Sequence, residues 1–284
     1  MKARIKKRLA AAAVAVSVIS AVVVGSPGTS SAATPSLRAY GISPDGRVMA
    51  TYTTDRPDRL DWVKEIVGFV GDDAAIGLDF RVQDGLLYVV GSKGGIYTVK
   101  FTPEPVLTKV SQLSVALYGT TFGVDFNPAA DRLRVISDNG QNLRHNLATH
   151  ITEEDGNLNT PPSPATTKGV TAAAYTNNDL NADSGTTLFD IGTILDQVVI
   201  QSPPNLGSLV PTGSLTVDAG LKAGFDIFSV LNNGKASSVL GFASLTASNG
   251  STSLYSVNLL NGEATVIGKH PFAFPDLAIS LTGS

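Results

Sequence analysis

A short motif that returns at intervals of about fifty residues restricts this chain more than any other feature. Ile76-Gly77-Leu78-Asp79-Phe80 recurs as Phe122-Gly123-Val124-Asp125-Phe126 and again as Gly224-Phe225-Asp226-Ile227. A degenerate copy runs from Val170 to Tyr175 with Ala174 in the Asp place, and another is Phe274-Pro275-Asp276-Leu277-Ala278-Ile279. The anchors 79, 125, 174, 226 and 276 are spaced by about 46, 49, 52 and 50 residues, the period of one four-stranded propeller blade. Between anchors the chain alternates short Val, Ile, Leu, Phe and Tyr runs with turn residues. Leu86 to Val90, Gly91 to Gly95 and Ile96 to Val99 spell a hairpin, and Asp138-Asn139-Gly140 and Asn232-Asn233-Gly234 are sharp turns. Beyond residue 34 no long stretch keeps helical spacing free of Gly, Pro or Asn.

The reading is therefore all-β: a β-propeller of five four-stranded blades, with six blades or an open sandwich as the alternatives. Only one strand follows the last anchor, while the segment before the first anchor offers three, at Leu37 to Ile42, Val48 to Thr53 and Trp62 to Val70. Pairing the C-terminal strand with these N-terminal strands closes the ring, the C-terminal strand innermost, and removes sheet edges that would otherwise template aggregation.

The first residues are set apart from this domain. Lys2, Arg4, Lys6, Lys7 and Arg8 form a cationic segment, Leu9 to Val24 an apolar one, and Ser31-Ala32-Ala33 a small-residue cleavage site. Residues 1–33 thus read as a signal peptide and 34–284 as one domain, which predicts a secreted or cell-envelope protein with no membrane association after cleavage. The chain has no cysteine, so stability must come from a core and not from disulfides. Of 21 basic and 24 acidic residues, five basic ones lie in the signal segment, leaving 16 against 24, a net −8. Phosphate neutralisation needs clustered Lys and Arg, so no nucleic-acid partner is expected.

Gly123 to Pro128, Asp131 to Asp138 and Gly140 to Arg144 resemble the bacterial family known as domain of unknown function 4394. So do Val170 to Asn178, Gln201-Ser202-Pro203-Pro204-Asn205 and Gly224-Phe225-Asp226. The similarity covers almost the whole of 34–284. Family members usually carry Asp-Phe-Arg-Pro where this chain has Asp79-Phe80-Arg81-Val82. The resemblance implies an exported, repeat-rich protein and transfers no activity and no catalytic residue.

The repeated Asp79, Asp125, Asp226 and Asp276 read first as structural groups that accept hydrogen bonds from turn amides between blades. The sharper reading has them converge on the axis and hold a cation through oxygen ligands. The richest polar cluster supplies the candidate ligand-binding residues Asp125, Asn127, Arg134, Asp138, Asn142 and Arg144. Strand alternation puts Arg132 and Arg134 on one face with Ile136, and Leu133 with Val135 on the other, so Arg134 is expected at a blade interface, paired with Asp125 or Asp138.

No catalytic constellation is recognisable. There is no Gly-x-Ser-x-Gly elbow, and of the three histidines, His145 and His150 flank a polar turn and read as solvated. Gly91 to Gly95 lacks the order and following helix of a phosphate loop. The loop from Asp179 to Gly185, with Asp190 further on, has a partial calcium-loop pattern without flanking helices. No cofactor and no metal site are assigned, calcium being the ion that the acidic residues would best suit. The function expected is a secreted binding module for a glycan or an extracellular protein. The alternative is an extracellular hydrolase or lyase that uses acidic residues, with or without calcium, in the central channel.

Overall fold

A computed structural model describes residues 33–284, and the signal-peptide reading of residues 1–33 falls almost wholly outside them. The chain forms a five-bladed β-propeller. Strands β1 (Arg38–Ile42), β2 (Val48–Thr53) and β3 (Trp62–Glu65) belong to the closing blade. The second blade is β4 (Ala75–Phe80), β5 (Leu87–Gly91), β6 (Gly95–Phe101) and β7 (Pro105–Gln112). The third is β8 (Phe122–Asn127), β9 (Arg132–Ser137), β10 (Asn142–Asn146) and β11 (Ile151–Glu154). The fourth is β12 (Val170–Tyr175), β13 (Leu188–Gly192), β14 (Gln197–Gln201) and β15 (Leu209–Ser214). The fifth is β16 (Ala219–Asn232), β17 (Lys235–Ala247), β18 (Thr252–Val257) and β19 (Ala264–Lys269), and β20 (Asp276–Ile279) returns to the closing blade.

Every pairing is antiparallel, and β20 lies innermost in the order β20-β1-β2-β3, with Tyr40 opposite Ala278. The inner strands β4, β8, β12, β16 and β20 touch in sequence, and β20 touches β4, so the ring closes. The predicted strand Trp62 to Val70 is shorter than expected. It ends at Glu65, after which Val67 makes a single parallel bridge to Val106 in the second blade.

Turn chemistry explains where the strands reverse. Asn233 and Gly234 both have positive φ, 51° and 74°, as a tight two-residue hairpin turn requires, and they join the two longest strands. The core is divided among five seams, one per blade pair, because alternate side chains of each inner strand face opposite neighbours. Leu78 and Val89 pack toward the closing blade with Ile42 and Met49, while Tyr88 and Val90 pack toward the third with Val124 and Phe126. Likewise Leu133 and Val135 face the second blade and Ile136 the fourth. Each blade is apolar on both faces and cannot bury them alone, so the ring is the cooperative unit.

Candidate functional site

The repeated aspartates lie where the inner strands converge, and they bond from blade to blade. Asp79 Oδ2 accepts the Phe126 N–H at 2.7 Å, and Asp125 Oδ1 accepts the Tyr175 N–H at 3.1 Å. Asp226 Oδ2 accepts the Ile279 N–H at 2.5 Å, and Asp276 Oδ2 accepts the Leu78 N–H at 2.9 Å. The partners are amides of the next blade's inner strand, not the turn amides expected from sequence. A carboxylate there accepts an N–H that, on the innermost strand of a ring, has no further strand to pair with.

The register corrects one alignment. By its amide partner, Asp226 treats Ile279 as Asp79 treats Phe126, so Ala278 stands in the place of Asp125 and Asp276 in the place of Gly123. Asp276 therefore lies two residues along the strand from the other three. It fits because Gly77 leaves the space: a Cβ there would fall 2.7 Å from Asp276 Oδ2. At the fourth blade Ala174 packs among Phe189 and Ile227 in an apolar seam, and nearby the Asn177 N–H bonds to Ser229 Oγ at 2.8 Å.

Three acids remain in one group. Carboxylate oxygens of Asp79, Asp125 and Asp226 lie within 4.8 Å of one another, all buried. They line a cavity of about 20 Å³ together with Tyr175, Asn177, Asn178 and Leu281. Burial, followed by the charge of Asp226, lifts the Asp79 carboxyl well above its ordinary range. Asp125 is raised by burial and then by Asp79 and Asp226, and Asp226 by burial to about 6 against the opposing amides of Ile279 and Ile227. Three carboxyl groups so close and so buried cannot all ionise without a counter-charge, since like charges there repel.

The polar cluster of the third blade is a separate structure. Arg134 faces the fourth blade as alternation predicts, but its partners are neither Asp125 nor Asp138. Its guanidinium donates to Asp155 Oδ2 and Asn142 Oδ1 at 2.7 Å each, to Asn205 Oδ1 at 2.9 Å and to Tyr175 Oη at 3.3 Å. Asp155 was not singled out from sequence, yet it lies just beyond β11 at bonding distance from both Arg134 and Arg144. Asn142 donates to the carbonyls of Gly156 and Pro204, which ties the third blade to the short 3₁₀ turn Pro204–Leu206. Asp138 accepts from the Thr120 N–H and hydroxyl, and Asn127 caps the amides of Ala129 and Ala130. Thus Arg134, Asn142 and Arg144 meet around Asp155, while Asp125 faces the axis and Asp138 holds Thr120.

The loop acids and the histidines take separate places. Asp179 accepts from the amides of Asn181 and Ala236 and from Ser184 Oγ, whereas Asp190 is buried in β13 opposite Ala173. The two acids of the calcium-loop pattern serve different elements. Burial keeps the Asp190 carboxyl protonated well above its usual range, although Arg134 pulls the other way. His145 is fully buried, not solvated, and only His150 of that pair is exposed. His270 is also buried, edge-on to Tyr52 and Phe274.

The family model described as domain of unknown function (DUF4394) matches residues 48–278. No curated protein matches the chain. Among solved structures, an auxiliary nutrient binding protein from Bacteroides thetaiotaomicron is similar at 11% identity, over 80% of this chain and 56% of that one, with a TM-score of 0.45. A protein of unknown function from the same organism is similar at 14% identity over 87% of this chain and 68% of the other, again at 0.45. The WD40 domain of Toxoplasma gondii coronin gives 12% identity over 82% and 56%, at 0.40. The chain spans 56% of the length of the first of these proteins.

Proposed function

The chain belongs to the domain of unknown function 4394 family, and from that premise we propose that it is an exported binding module that meets its ligand, a glycan or an extracellular protein, on its loops and blade edges. The size of the channel cavity carries this reading. About 20 Å³ is room for one water, which needs roughly 10–15 Å³ on the same measure, and not for a sugar ring. The candidate polar residues are also engaged inside the protein: Arg134 with Asp155, Asn142, Asn205 and Tyr175, and Asp138 with Thr120. What is left for recognition is the outer surface of a stiff scaffold.

The test is saturable binding of residues 34–284 on an array of glycans and extracellular proteins, repeated with Asp125→Asn. Binding that survives the substitution supports recognition on the outer surface. Absence of any saturable binding overturns the module reading, and loss of binding with the fold intact moves the site to the channel.

One observation favours a second reading, a cation within the channel. Three buried carboxyl groups within 4.8 Å of one another have the donor chemistry for a hard cation such as calcium, and a lone ion needs no more room than a water. Such an ion would neutralise the raised carboxyl groups and fasten three blades together. Unchanged thermal stability after exhaustive chelation ends this reading.

A further inference from the structure

Between the outer strands of the second and third blades, β7, β10 and β11 bring together side chains of reactive type that sequence spacing did not connect. Ser111 Oγ lies 2.8 Å from His145 Nε2 and 2.8 Å from His150 Nδ1. His145 Nδ1 lies 2.9 Å from Thr152 Oγ1, which accepts the Ser114 N–H at 2.9 Å. A bulge aims Ser111: Ile96 pairs with Ser111 and Tyr97 with Lys109, so Val110 is left over in the strand.

Counting hydrogens sets the direction of the chain. The Ser114 amide is a fixed donor to Thr152 Oγ1, which leaves the Thr152 hydrogen free to turn to His145 Nδ1. His145 then has its proton on Nε2 and donates to Ser111 Oγ, and the Ser111 hydrogen points to His150 Nδ1. This tautomer is assigned so that each bond has one proton. Burial, and after it the charge of His150, pushes the His145 pKa down to about 4, in keeping with an imidazole that holds one proton. The sequence of donors runs from the Ser114 amide through Thr152, His145 and Ser111 to the exposed His150 imidazole.

We propose that Ser111 is a nucleophile toward small acyl esters, with His150 as general base and the His145 N–H as the donor that stabilises the developing alkoxide. Ser111 and His150 line an open cleft of about 460 Å³ with Lys109, Val110 and Gln112. In the acylation step Oγ bonds to the acyl carbon as its proton passes to His150 Nδ1. The carbon–alkoxy bond breaks, and the alcohol leaves with that proton. Water then adds its oxygen to the acyl carbon while one of its protons passes to His150, the carbon–Oγ bond breaks, and His150 returns that proton to Oγ, so that ester and water become acid and alcohol. This activity is additional to ligand binding on the propeller surface and does not depend on it.

The intact chain treated with a fluorophosphonate is expected to gain one adduct, mapped by mass spectrometry to Ser111 and absent from Ser111→Ala. His150 has a φ of 58°, which Asn tolerates, so His150→Asn keeps the turn and is expected to slow both labelling and p-nitrophenyl acetate hydrolysis by about 10²-fold. No adduct, an adduct on another residue, or wild-type labelling of His150→Asn overturns the proposal.

Discussion

Asp155 and Asp125 are both buried acids of the third blade, but they are held in opposite ways. Asp155 lies between two guanidinium groups, with Arg134 Nη1 at 2.7 Å and Arg144 Nε at 2.9 Å. Asp125 has one backbone amide and two other carboxyl groups, and among the described residues no cationic side chain bonds to it. The first arrangement offsets the desolvation of a charge with an opposite charge, so its integrity depends on both partners being present. The second keeps the carboxyl group in place by lifting its pKa, so its integrity depends on pH. A buried acid is thus held by opposite charge at the outer seam and by its raised pKa at the axis.

The largest expected effect tests the ion pair. Arg134→Met keeps the bulk of the side chain but leaves Asp155, Asn142 and Asn205 without their shared donor. It should cost about 3–5 kcal/mol in chemical denaturation at pH 7, and a loss under 1 kcal/mol would show that the seam does not rely on the pair.

The axis responds to pH instead. Because the folded Asp226 pKa is raised to about 6, the folded state retains a proton that the unfolded chain has released, and stability from this group falls as pH rises from near 4 through about 6. Asp226→Asn keeps an acceptor for the Ile279 amide and removes the titration. Its stability relative to wild type should therefore rise by on the order of 2 kcal/mol between pH 4 and pH 7. His145 and His270, with pKa values pushed down to about 4, act with the opposite sign: their contribution is complete above about 6.5 and is lost as pH falls toward 4. A stability difference between Asp226→Asn and wild type that does not change with pH would refute the assignment to the axis.

The smallest effect sharpens the contrast at Asp155 itself. Arg144 is partly exposed and also pairs with Glu153 at the surface. Arg144→Ala should cost about 0–1 kcal/mol, weakened further by salt, although it removes a guanidinium from the same carboxylate as Arg134→Met. Equal losses for the two arginines would mean that burial does not decide the strength of these pairs.

Part of this was legible in the chain and part was not. Ile136 and Leu133 were assigned to opposite faces correctly because side chains alternate with a strict period of two. The same period hid the register at Asp276: a shift of two residues leaves a side chain on the same face, so the motif could not tell Asp276 from Ala278. The partners of Arg134 were in view as motifs, since Gln201 to Asn205 and Asp131 to Arg144 were both noticed. That they meet across a blade seam was not visible, because a side chain's partner in the next blade is set by packing and not by local pattern. His145 looked solvated because its neighbours along the chain are polar, yet Ser111 and Thr152 cover it from strands of two blades.

The sequence by itself determined the repeating unit and favoured five copies closed by the two chain ends over six or an open sandwich: strand pattern, turn residues and a period near fifty are local properties repeated along the chain, and a sheet with two apolar faces must be covered on both. Only the tertiary structure decided which acids share the axis, which carboxylate answers Arg134 and that Ser111 lies between two imidazoles. Those contacts join residues from different strands and blades, and the angle and depth of packing that bring them together are written in no single segment.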